Sequence, residues 1–209
     1  AAGDLVIDLT TSNDAVTITT GSGDATITGT TAVDTITLGS GANTVRTQGG
    51  TDLITAGTGV DTIIAEDISD VVAVTGFDID NDIIGIDLSI ANGDALVENL
   101  VSGAGTTDVA DYFGAVLQSD ADGTATLVTA TNIFVVTDVM ANNAAILAAL
   151  DDNVTYQNNV AGVNDSLVVL WTDGSSSYVS IAVTDDIATD ANVPGYDSVE
   201  DMVELIGIT

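Results

Sequence analysis

Large aliphatic residues recur at every ninth position through the first third of the chain: Leu9, Ile18, Ile27, Ile36, Val45, Ile54, Ile63 and Val72. With 45% of residues hydrophobic, eight such positions would all be apolar by chance with a probability of about 0.002, and a free choice of register raises that only to about 0.015. The neighbouring residues keep the same period. Thr17-Ile18-Thr19, Thr26-Ile27-Thr28 and Thr35-Ile36-Thr37 alternate polar, apolar, polar, the pattern of short strands with one buried face. Gly21, Gly23, Gly39, Gly41, Gly57 and Gly59 fall between those strands, where turns belong. A strand and a turn every nine residues predict stacked solenoid turns, because no single repeat can bury its apolar face alone.

Two residues before each aliphatic stands a second column: Ile7, Val16, Ala25, Asp34, Asn43, Asp52, Asp61 and Asp70. From Asp34 onward it is wholly Asp or Asn. Together with Gly39-Ser40-Gly41-Ala42-Asn43-Thr44-Val45 and Gly57-Thr58-Gly59-Val60-Asp61-Thr62-Ile63, it resembles the G-G-x-G-x-D-x-U-x nonapeptide of the RTX (repeats-in-toxin) family. The resemblance implies a parallel β-roll with two nonapeptides per turn and Ca²⁺ between loops stacked on one edge. Glycines would turn loop carbonyls toward the ion and Asp would supply charge. Alternate repeats then share an edge, which groups Asp34, Asp52 and Asp70 on one side and Asn43 with Asp61 on the other. No copy carries the complete motif, and the repeats with Ile7, Val16 and Ala25 are expected to stack without Ca²⁺ at that position. A metal-free solenoid is the competing reading, since Asp suits turns for its own sake.

Beyond Val72 the period is lost. Phe77-Asp78-Ile79-Asp80-Asn81-Asp82-Ile83-Ile84-Gly85-Ile86-Asp87-Leu88-Ser89 resembles the element that closes RTX rolls, with altered spacing. Asp78, Asp80 and Asp82 alternate so that their oxygens could converge on one cation; a solvated acidic turn is the alternative. An EF-hand is excluded, because its loop needs Gly at the sixth position and Glu at the twelfth, where Ile83 and Ser89 stand. Residues 103–108 read as a linker. Val109, Tyr112, Phe113, Val116 and Leu117 have helical spacing, Asn143–Leu150 is Ala-rich and helical, and Ile133–Thr137, Leu167–Thr172 and Tyr178–Thr184 read as strands. A last helix is expected from Asp197 or Ser198, burying Val199, Met202, Val203 and Ile206. The expected fold is thus mainly β: a parallel β-roll over residues 1–90, followed by a mixed β module with a few short helices over residues 103–209.

Charge changes the picture most. Asp and Glu number 32 against one basic residue, Arg46, and the formal net charge is −31. With mean hydropathy of +0.42 the chain is nonetheless too apolar for disorder by charge alone. Lys, His and Cys are absent, which removes Schiff-base, imidazole and thiolate chemistry and soft-metal sites. Nucleic acid and anionic membranes are read by basic side chains and would be repelled. Hard divalent cations with oxygen ligands, above all Ca²⁺, are the counter-charge expected. A carboxylate pair could still run hydrolysis, but no segment has the D-T-G or D-S-G context of aspartic proteases, and Asp173-Gly174-Ser175 reads as a turn. No apolar run approaches the roughly 18–20 residues that span a bilayer. Outward Thr ladders resemble ice-binding surfaces, although the ladder is expected to break within two turns, with Thr28 meeting Arg46.

These readings converge on a non-enzymatic, extracellular Ca²⁺-binding structural protein of the cell surface, a surface-layer, filament or adhesin component that assembles with copies of itself. A cell-surface glycan is a candidate partner. The resemblance implies export by a type I system with an uncleaved C-terminal signal; Ala1-Ala2-Gly3-Asp4 has neither the basic nor the apolar region of a cleavable leader. The alternative is the Ca²⁺-binding secretion and folding tail of a larger secreted enzyme or toxin.

Overall fold

The structure is a computed structural model and describes residues 3–67, 70–86, 115–119, 125–127, 131–156, 167–184 and 196–208. Two compact units divide the chain, Ala1–Val109 with Met202–Ile208, and Ala110–Asp201 with Thr209.

The first unit is a parallel β-solenoid of about four turns. One wall is a five-stranded sheet in the order β1 (Leu5–Asp8), β3 (Ala25–Thr28), β5 (Asn43–Arg46), β7 (Asp61–Ala65) and β9 (Ile83–Ile86). The facing wall stacks β2 (Thr17–Thr19), β4 (Thr35–Thr37), β6 (Leu53–Thr55) and β8 (Val72–Thr75). Every pairing within the two walls is parallel. The aliphatic column forms the core, with Ile27, Ile36, Val45, Ile54 and Ile63 fully buried. Each such side chain contributes about 1.5–3 kcal/mol relative to exposure. Glycines let the turns stack. A Cβ added at Gly39 or Gly57 would overlap the carbonyl of Gly21 or Gly39 in the turn below, and one at Gly41 or Gly59 would overlap Gly23 or Gly41.

The nine-residue register holds from Ile18 to Ile63 and slips at both ends. Ile27 pairs with Ile7 rather than with the expected Leu9, and Ile54 pairs with Val74 rather than Val72. At each slip the partners lie twenty residues apart instead of eighteen, because the intervening chain is two residues longer. The Thr28–Arg46 pairing is as expected, but the ladder is longer than two turns, since Thr19, Thr37, Thr55 and Thr75 stand in one row.

The second unit is a mixed sheet in the order β10 (Ala115–Ser119), β12 (Thr131–Val139), β14 (Leu167–Thr172), β15 (Ser176–Thr184) and β16 (Tyr196–Ile206), which contributes residues as far as Asp201. β11 (Ala125–Leu127) pairs with β13 (Val154–Tyr156). β14 and β15 form an antiparallel hairpin in which Trp171 lies opposite Tyr178, their rings stacked 4.3 Å apart. The Asp173 carboxylate accepts the N–H groups of Ser175 and Ser176 at 2.7 and 2.8 Å, and those bonds hold its pKa below the usual range. It is a turn residue, as expected. Helix α1 (Asn143–Asn153) begins where expected, capped by the Asn142 side chain on Ala145 N–H at 3.0 Å.

Two expected helices are not found as such. Ala115–Ser119, the end of the first, is strand β10, and the rest of that segment lies outside the described residues. The second is replaced by β16. Its stretch Val203–Ile206 pairs in parallel with Val72–Thr75 and covers the outer edge of β8, whose backbone groups would otherwise be an open template. Met202, Val203 and Leu205 are buried and Ile206 is exposed. Backbone pairing with that edge outweighs a helical spacing that was only local. No helix among the described residues is long and apolar enough to cross a membrane.

Candidate metal centre

Each aspartate of the second column ends a loop just before a strand, and its carboxylate reaches the turn below. Oδ1 of Asp34, Asp52, Asp61 and Asp82 accepts the N–H of Val16, Asp34, Asn43 and Asp61 at 3.0, 2.8, 3.2 and 2.9 Å respectively. In three of these the second oxygen accepts an N–H from four residues earlier in its own loop. Thr30, Gly57 and Asp78 donate to Oδ2 of Asp34, Asp61 and Asp82 at 2.8, 2.8 and 2.9 Å. These carboxylates are buried but satisfied, as buried polar groups must be.

Asp52 departs from the pattern. It is fully buried, and its Oδ2 has no hydrogen-bond partner. The reason lies in its loop. Gln48, four residues before it, has φ of 69° and Gly50 has φ of 88°, so the chain runs through left-handed backbone where the loops before Asp34 and Asp61 do not. The Gly50 N–H turns away to Oδ2 of Asp70 at 2.8 Å. Burial pushes the Asp52 carboxyl up to about 7; the Asp34 N–H opposes this, and the charges of Asp34 and Asp70 add to it. An acid oxygen without a donor, facing further carboxylates, is a place where positive charge is needed.

The eight expected ligands are therefore not equivalent. Asp34, Asp52 and Asp70 do come together, but Asp70 is not in the column. Asp52 lies level with Val72, because Leu53 pairs with Ala73, and Asp70 reaches the site from the lengthened loop. The Asp67 carboxylate, from the same loop, lies near Gly49 as that of Asp70 does, since a Cβ on Gly49 would touch both. Asn43 and Asp61 share the other edge, and Asp82 stacks on Asp61 as the next member of that column. Asp78, Asp80 and Asp82 do not converge. Asp82 is buried, whereas Asp78 and Asp80 are exposed. Asp78 caps its own turn by accepting from Asn81 Nδ2 at 2.8 Å and Asp80 N–H at 3.0 Å, bonds that hold its pKa low.

Sequence reasoning missed two features. The Asp61–Asp82 step is twenty-one residues, which hides Asp82 from a nine-residue count. Arg46, the single basic residue, forms an ion pair with Glu66, which is buried and also accepts from Gln48 Nε2. That pairing is legible only once Arg46 is known to stand level with Ile64 of the next turn, two residues before Glu66.

Among the described residues no three acidic side chains form a cage by themselves. An ion at Asp52 would draw the remainder of its six to eight oxygens from loop carbonyls and water. Loops rich in glycine suit that division, and the unpartnered Asp52 oxygen fits a hard cation. Residues 19–54 and, overlapping, 28–63 match the RTX calcium-binding nonapeptide repeat. These turns are RTX repeats. The match ends where the eighteen-residue turn does, at Ile63. RTX repeats bind calcium and are typical of proteins secreted by type I systems. No curated protein and no solved structure matches the chain significantly.

Proposed function

We propose that this protein is an extracellular structural component whose RTX roll orders on Ca²⁺ and then assembles with further copies into a cell-surface layer or filament, without catalytic activity. The observation that supports it is the unpartnered Asp52 oxygen beside Asp34 and Asp70. In a chain of charge −31, such a site makes the fold depend on a divalent cation, because binding energy at carboxylates becomes folding energy. Extracellular Ca²⁺ modules bind at about 10⁻⁴–10⁻³ M, so the roll would stay empty in cytosol and fill outside. Ca²⁺ also screens the repulsion between like-charged copies.

Light scattering and negative-stain microscopy test this. Ordered sheets or filaments are expected in millimolar Ca²⁺, with dispersal in EGTA. A monodisperse monomer in saturating Ca²⁺ would overturn the assembly reading and favour a secretion and folding tail.

A further inference from the structure

The two edges of the roll treat the same column position differently, and Asn43 is where they part. Its Nδ2 donates to the Gly41 carbonyl and to Asp61 Oδ1, both at 2.8 Å. One is a glycine carbonyl of the loop and the other a column carboxylate, the two oxygen types that a hard cation takes between RTX loops. A nitrogen 2.8 Å from both stands within a few tenths of an ångström of where a Ca²⁺ at about 2.3–2.6 Å would stand. Asp61 then has every oxygen occupied: Oδ1 by Asn43 N–H and Nδ2, Oδ2 by Gly57 N–H.

We propose that the Asn43 amide replaces a calcium ion between the Gly41 and Asp61 loops, so that this rung of the RTX roll is stapled without metal. The amide orientation follows from its partners. Turned over, the amide oxygen would face two other oxygens, which only a cation between them could stabilise. The cost of the present orientation is visible, because Asn43 Oδ1 is buried without a partner. A metal-free rung beside a metal-requiring one gives the chain a folded segment before Ca²⁺ arrives, from which the Asp52 edge can be completed.

The inference rests on the roll binding Ca²⁺, and the test separates the two. Ca²⁺ is titrated by calorimetry into the full chain and into Asn43→Asp, and the Asn43 side-chain NH₂ resonances of the wild type are followed in EGTA and in saturating Ca²⁺. N43D is expected to bind one more Ca²⁺ per chain and to melt at a lower temperature than wild type in EGTA, since two carboxylates then meet without a donor. The wild-type NH₂ signals are expected to be protected from exchange in both conditions. Equal, non-zero stoichiometries, or NH₂ signals that lose protection on Ca²⁺ loading, would overturn the staple and leave the Ca²⁺ reading intact. A wild type that takes up no Ca²⁺ would overturn the Ca²⁺ reading, while the NH₂ protection still decides the staple. If N43D does not fold even in Ca²⁺, the wild-type resonances decide alone.

Discussion

Asp52 and Asp61 occupy the same place in their repeats, on opposite edges of one roll, and differ in what surrounds them. Asp61 is saturated by three donors, one of them an asparagine amide. Asp52 has one donor and an empty oxygen. Their column residues are alike, so the difference comes from the loops. The loop before Asp61 turns the Gly57 N–H inward, whereas the loop before Asp52 passes through left-handed Gln48 and leaves Asp52 Oδ2 without such a donor. A column of aspartates is therefore not a column of equal calcium sites; loop conformation decides which carboxylate still needs a cation.

Removing Ca²⁺ should break the comparison most visibly. In EGTA, circular dichroism should show a partial loss of β-structure, and amide exchange should open first around residues 48–52 and last around residues 39–46. Uniform opening of both edges would show that they are equivalent.

A large effect is also expected where the stack leaves no room. Gly57→Ala drives a Cβ into the Gly39 carbonyl, and backbone cannot move aside as a side chain can, so a loss of about 3 kcal/mol is expected from thermal melts in Ca²⁺. Gly21→Ala has open space at its Cβ and should cost under about 1 kcal/mol. Similar losses in the two would mean that the turns are not stacked this closely.

The pH dependence sharpens the contrast between the aspartates. In chelator the folded roll keeps a proton on Asp52 up to about pH 7, whereas the unfolded chain releases it near pH 4. Between those values the folded state binds more protons, so this contribution to stability is complete below about pH 4 and is lost as pH rises through 7. Asp52→Asn should flatten that fall in denaturant titrations and weaken Ca²⁺ binding at neutral pH. An unchanged slope would show that Asp52 is not the group responsible.

The smallest effect is expected at Asp24, which is exposed and accepts the Ala42 N–H at 2.8 Å. Asp24→Ala should cost about 1 kcal/mol or less and leave the calorimetric Ca²⁺ stoichiometry unchanged. Loss of an ion would place a ligand outside the column.

What the chain determined by itself is the interior of the roll. From Ile18 to Ile63 the nine-residue repeat places the aliphatic core and puts Asp34, Asn43, Asp52 and Asp61 at the loop ends, because a repeated local pattern has one stacking that buries every aliphatic. The hairpin at Asp173-Gly174 and the helix from Asn143 were legible for the same reason, as turn and cap chemistry act within a few residues. Only the tertiary structure decided the rest. Two-residue lengthenings move Ile7, Val74 and Asp70 out of a fixed count, since pairing follows backbone hydrogen bonds and not sequence distance. Met202–Ile206 has the spacing of a helix but pairs with β8, because an open strand edge offers more than local propensity does. Whether Asp52 or Asp61 lacks a donor depends on which way an N–H four residues earlier points. That is a property of the loop backbone, which no residue type at the column position can specify.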